Sequence, residues 1–201
     1  MRYRHLTFVA LISVGIALVG CVSGDRAVEV QPRRQVLVAP GVVLTLPPPY
    51  SLDQPVEALQ LITAHYNRET WAFETRISIT KQRLLAVGTD LLGRRAMSIE
   101  WTGADLQVET APWIPAALPP RNVLADIMLI HWPLDTLSTS ISPPGALRQV
   151  APGHRVVSVD GHDLISVDQV SGAPGDWAGH WKYRNLAWDY DLDIQSVEGV
   201  P

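Results

Sequence analysis

The chain has 201 residues, with 16 Lys and Arg against 20 Asp and Glu, a net charge of −4, and one cysteine. That length supports a single domain with a real core. Mild acidity without a basic block argues against nucleic acid as a partner and against a polybasic membrane patch, and one cysteine leaves no disulfide within the chain.

Arg2 and Arg4 precede an apolar run, Leu6 to Val19, that closes in Leu18-Val19-Gly20-Cys21. A basic start, a short apolar segment and a small residue at the cut site form the pattern of a secretory signal. The run falls short of the about 20 apolar residues that a membrane span needs. Gly20 directly before Cys21 resembles the lipobox of bacterial lipoproteins; the alternative is an ordinary signal with a chance cysteine. The resemblance implies a signal peptide over 1–20, a covalent diacylglycerol on the Cys21 thiol and an N-acyl chain, such as palmitate, on its amine. No other cofactor is implied. Val22, where an Asp would favour the inner membrane, implies a lipid anchor in the outer membrane on its periplasmic face. Each buried CH₂ would contribute roughly 0.8 kcal/mol to that anchor.

Residues 21–54 read as the lipidated N-terminus and a proline-rich spacer. Ser23, Gly24 and Asp25 suit a tether, 35–46 is apolar enough for one edge strand, and Pro47-Pro48-Pro49 makes a stiff, extended end to that strand. In 55–67, Val56, Leu59, Ile62 and Tyr66 recur at helical spacing, which predicts an amphipathic helix. From Trp71 the period becomes two, and strands are predicted over 71–80, 83–89, 95–101 and 106–110. Pro112, Pro115, Pro119 and Pro120 interrupt the sheet. A helix is predicted over 122–132, ended by Pro133, with another helical turn over 134–138. Strands over 155–159 and 164–170 flank Asp160-Gly161, a strong hairpin signal. A further strand starts in 181–184, and the clearest alternation closes the chain, with Leu186, Trp188, Tyr190, Leu192 and Ile194 on one face.

Catalytic chemistry is not legible. There is no G-x-S-x-G, H-E-x-x-H, phosphate loop or dinucleotide fingerprint, so no catalytic or metal residue is assigned and a non-enzyme is expected. Asp189, Asp191 and Asp193 begin like a calcium loop, but Ile194 stands where that loop needs glycine; they read as the wet face of a strand. Asp160, His162 and Asp163 sit at a hairpin tip, where Asp-Gly has a structural reason to be. His131 reads as a helix C-terminal residue, and spacing gives no sign that His154, His162 and His180 converge.

About eight strands with a helix near the start and a mid-chain helical crossover predict an α+β fold. In it, a curved antiparallel sheet wraps over helices, with one face buried and one wet. This order of elements resembles the LolA/LolB group, the periplasmic carrier and outer-membrane receptor of lipoproteins. The resemblance implies an unclosed antiparallel β-barrel over 55–201, covered by helices around an apolar cavity. Leu84-Leu85-Ala86-Val87-Gly88-Thr89-Asp90-Leu91-Leu92-Gly93 is similar to the receptor's strand and protruding turn, with Leu92 at the tip and Leu91 in place of the family's proline. The chain is also similar to uncharacterised outer-membrane lipoproteins that in some genomes lie near aryl-polyene-type lipid genes. Cys21, the Leu92-Gly93 turn, Ile130-His131-Trp132-Pro133 and the strands from Trp181 to Ile194 carry that likeness.

These readings give two expectations. In the first, the protein binds an acyl, lipid or lipoprotein chain and helps transfer or localise it. Ile99, Trp101, Trp188, Tyr190 and Leu192 line its cavity, and Leu91 and Leu92 form a membrane or cargo loop. The partners are then membrane lipid, the acyl chain or lipoprotein cargo, and a LolA-like carrier or exporter. In the second, it is a lipid-anchored adaptor with a filled core that recruits a lipid-synthesis or export partner. The leucine pair itself has two readings, an exposed tip or side chains folded back into the core.

Overall fold

The computed structural model describes residues 34–114 and 119–199. The expected signal and the Cys21 lipidation site lie outside the described residues. Twelve strands and two α-helices follow one another there, ten of the strands in one antiparallel sheet. The first hairpin, β1 (Gln35–Ala39) and β2 (Val42–Thr45), stands apart as its own two-stranded sheet.

The large sheet grows outward from its middle. Strands β3 (Val56–Tyr66), β4 (Glu69–Ile79), β5 (Leu84–Asp90), β6 (Arg95–Trp101) and β7 (Leu106–Thr110) form one meander. Strands β8 (Ala146–Ala151), β9 (His154–Val159), β10 (His162–Ser171), β11 (Gly179–Asn185) and β12 (Tyr190–Glu198) form a second. The two join where β12 pairs with β3, from Tyr190↔Tyr66 to Glu198↔Ala58, which leaves β7 and β8 as the two edges. The sheet is therefore unclosed. Chain passes from one edge to the other through α1 (Pro120–His131) and α2 (Leu134–Ser138).

Residues 55–67 correct the sequence reading. They form β3, the central strand, and not a helix. Val56, Ala58, Gln60 and Ala64 are buried on one face, whereas Glu57, Leu61 and His65 point to solvent. The helical spacing of Val56, Leu59, Ile62 and Tyr66 mixes the two faces. Pairing with β4 and β12 along nearly the whole strand overrides that local pattern. The overlooked cue is Asn67: with Arg68 it makes a two-residue turn in which both residues have positive φ (50° and 67°).

Two further differences concern the edges. The expected spacer carries a whole hairpin, because Val36, Val38, Leu44 and Leu46 belong to the main core. Trp101 fastens it, its indole N–H donating to the Pro47 carbonyl at 2.8 Å. Strand β8 is absent from the sequence reading, since four of its residues are exposed in a row and give no alternation.

Helix α1 has Pro at its first turn and no side-chain cap at its N-terminus. Its seven residues from Leu124 to Ile130 are all buried, and it packs against β1, β6 and β7. At the other end, Arg155 from β9 donates to the Trp132 carbonyl at 2.8 Å and the Leu129 carbonyl at 3.4 Å. A cation there complements the negative end of the helix dipole. Its partial burial draws the guanidinium below its usual range.

Candidate functional site

A pocket of about 650 Å³ lies between one face of α1 and the inner face of the sheet. The period of two decides which strand residues reach it. From β3 come Gln60, Ile62, Ala64 and Tyr66, and from β12 come Tyr190, Leu192 and Ile194. These rows stand opposite one another in register, Tyr66 with Tyr190, Ala64 with Leu192 and Ile62 with Ile194. Phe73 and Thr75 continue the wall on β4, then Gly88 on β5 and Met97 on β6. The helix contributes Val123, Asp126, Ile127 and Ile130, spaced to share one side of α1.

One end is open. Leu37 and Pro119 are exposed there, and Tyr66, Arg121 and Trp188 are half-buried. At the other end Gln60, Thr75 and Met97 are buried around Gly88, whose missing side chain leaves room. A Cβ at Gly88 would lie 3.5 Å from Met97 Cγ, an ordinary contact.

The walls are mostly apolar, and one carboxyl interrupts them. Asp126 is only 6% exposed, and its Oδ2 accepts a hydrogen bond from the Tyr190 hydroxyl at 2.8 Å. The Tyr183 and Tyr190 hydroxyls are 3.4 Å apart and their rings stack. Burial pushes the Asp126 carboxyl up, the two phenols pull it back, and the balance leaves it at about 7. Burial first, and then the Asp126 charge, raise both phenols well above the ordinary tyrosine range. Behind the deep end, Gln60 Nε2 lies 2.9 Å from His131 Nε2. The His131 ring stacks on Trp177 at 4.0 Å, and burial, seconded by Arg155, holds it well below the usual histidine range.

The residues singled out from sequence are distributed unevenly. Trp188, Tyr190 and Leu192 line the pocket, but the closing strand begins only at Tyr190: Leu186 and Trp188, expected on it, lie in the turn after β11, and Leu186 is exposed. Ile99 and Trp101 do not line the pocket: both are 0% exposed and belong to the main core, together with residues of β1, β2 and α1. They share a face with Met97, but the pocket ends at Met97. Sequence reasoning missed Asp126, Gln60 and Thr75. The signal available was a lone acidic residue inside the apolar run Leu124 to Ile130.

Leu91 and Leu92 occupy the β5–β6 turn and are 68% and 83% exposed, which removes the folded-back reading. Asp90 builds this turn. Its Oδ1 accepts from the Leu92 and Arg94 N–H groups at 3.0 and 2.8 Å, and its Oδ2 from Arg94 Nε at 2.6 Å. Partial burial raises the carboxyl, but these bonds outweigh it and hold it below the usual carboxylate range. Gly93 completes the turn at φ +78°, where glycine is favoured. Register puts this turn at the same end of the sheet as Tyr66 and Tyr190, the open end of the pocket.

The histidines stay apart. His154 on β9 pairs with Asp168, and His180 on β11 reaches Asp193 at 3.0 Å. His162 begins β10 at the other end of β9 from His154. His154 and His180 both lie on strands, and neither is on a loop. Among the described residues no three His, Cys, Asp or Glu side chains gather into a metal-sized group. None of the described helices is long and apolar enough to cross a membrane.

Residues 57–198 match a family described as "Protein of unknown function (DUF3261)". No curated protein matches the chain.

Proposed function

The chain belongs to the DUF3261 family, and we propose that it is an outer-membrane-anchored lipoprotein that holds an acyl or lipid chain in the pocket beneath α1 and helps transfer or localise it. On this reading Cys21 carries the anchor, the ten-stranded sheet and α1 act as a helix-covered half-barrel, and the pocket is its cargo cavity. One observation carries the proposal. The pocket's about 650 Å³ lies within the about 300–1,000 Å³ of small-molecule sites, and its mostly apolar walls with few polar groups suit such a ligand. The exposed Leu91 and Leu92 at the same end of the sheet suit delivery to a bilayer. Each such side chain gains about 1.5–3 kcal/mol on burial, enough to orient a tethered domain but not to anchor it.

Transfer needs no covalent step. Cargo moves down the difference in apolar burial between donor and acceptor. The test is to extract the purified full chain with organic solvent and identify what is released by mass spectrometry, then titrate the emptied protein with palmitate while following tryptophan emission, since Trp188 lines the pocket. Released lipid and saturable palmitate binding are expected. A protein that releases no lipid and does not bind palmitate overturns the proposal.

The adaptor reading has one observation in its favour. Leu59, Leu61 and Val197 lie together on the outer face across the β3–β12 pair, and Leu61 and Val197 are exposed. A lipid-free complex with a partner protein from native mass spectrometry would favour it.

A further inference from the structure

The pocket holds a group that a plain hydrocarbon chain does not need. Asp126 sits near the middle of α1, with Val123 and Ile127 beside it on the pocket side of the helix and Leu192 and Ile62 on the sheet wall. Arg121 and Asn122 mark the open end, and Asp126 lies five residues past Arg121, about 7 Å further along the helix. A ligand's head would stop near the mouth, so Asp126 meets the chain part-way along its length.

A carboxyl has about four acceptor sites when ionised and one donor when protonated. The Tyr190 hydroxyl donates to Oδ2, and the Tyr183 hydroxyl beside it also acts on the carboxyl, which still leaves acceptor sites unused. An alkyl chain laid against Asp126 would strip water from the rest of the carboxyl and return nothing. The chemistry of a partner that repairs this is narrow. A carbonyl answers only the protonated acid. An ammonium answers only the ionised one, and it would be buried among Val123, Ile127 and Leu192 at a high cost. A hydroxyl can donate to the one form and accept from the other.

We infer that the pocket selects a hydroxylated acyl chain, with Asp126 hydrogen-bonding a hydroxyl carried on the chain itself. The inference rests on the carrier reading above and names its substrate class. Tyr190 is a positioning residue: its hydroxyl holds Oδ2 of a carboxyl that lines the pocket.

The experiment compares stearate with a set of hydroxystearates whose hydroxyl is moved along the chain, by displacement of a fluorescent fatty acid from the full-length protein. Wild type should prefer one hydroxyl position over stearate by about tenfold or more, because a site built for a hydroxyl discriminates strongly against its absence. Asp126→Leu should bind stearate at least as well as wild type and lose the preference. Tyr190→Phe should weaken it without abolishing stearate binding, because Asp126 loses the bond that fixes its Oδ2. Equal wild-type affinity for stearate and every hydroxystearate overturns the inference and leaves the carrier reading standing, whether or not Asp126→Leu folds. A preference that survives intact in a folded Asp126→Leu also overturns it, since the hydroxyl would then be held by another group. If no chain binds, the carrier reading itself falls.

Discussion

Asp126 couples folding to pH in an unusual direction for an acidic residue. Its carboxyl titrates near 3.8 in the unfolded chain and at about 7 in the folded protein. Between those values the native state binds more protons than the unfolded state, so stability falls as pH rises. The contribution is complete below about pH 4 and is lost as pH passes through about 7. Urea unfolding of wild type and Asp126→Asn from about pH 4 to about pH 8 checks this: the wild-type curve should fall relative to the variant's across that range, and parallel curves would refute it. Asp90 has the opposite sign. Its lowered carboxyl adds stability above its unfolded value, which is lost as pH falls through the folded one.

At the scale of elements, the β5–β6 turn and helix α1 are held by different means. Asp90, Arg94 and Gly93 build the turn through backbone and side-chain hydrogen bonds, and its leucines contribute no packing to it. Leu92→Glu should therefore shift stability by less than about 0.5 kcal/mol while reducing liposome co-sedimentation of the chain. A collapse of the melting temperature would place Leu92 in the core. Helix α1 depends on a distant strand. Arg155 serves its last carbonyls, and a hydrogen bond involving a charged group contributes about 1.5–3 kcal/mol. Arg155→Met keeps most of the stem and removes the donor, so thermal melts should show a loss of roughly that size. An unchanged melting temperature would mean that water replaces Arg155 without cost.

For the molecule as a whole, the open question is how a core of this size keeps a hollow. Two regions share the inner face of one sheet. The main core fills the region around Ile99 and Trp101, and the side chains of α1 leave the region around Gly88 and Ala64 unfilled. Gly88→Leu should fill part of that space, lowering palmitate affinity at least tenfold with stability within about 1 kcal/mol of wild type, because a Cβ there meets only ordinary contacts. Binding and melting curves on one preparation check both halves of the expectation. Undiminished binding would show that the chain lies elsewhere.

Much of the architecture could be read directly. The strands from Trp71 to Thr110, the helix ended by Pro133 and the Asp160-Gly161 hairpin all have local causes, a period of two, a proline stop or a turn that needs positive φ. Residues with strong neighbours in sequence declare themselves. Strand β3 did not, because one whole side of it pairs with β12, at the far end of the chain, and its turn into β4 lacks the usual Asn-Gly or Asp-Gly signature. The pocket was legible in part: alternation put Tyr190 and Leu192 on one face, whereas Trp188, read into the same alternation, reaches the pocket from the turn before β12; the inner face also carries positions where the space is already taken, as at Ile99 and Trp101. The amino-acid sequence by itself determined which side is apolar in the strands whose alternation is clear, such as β4, β6 and β12, since that depends only on the pleat. Only the tertiary structure decided where that apolar face is filled and where it is hollow, and that a single acid on α1 meets a phenol from β12, because both depend on which distant segments come to lie on the sheet.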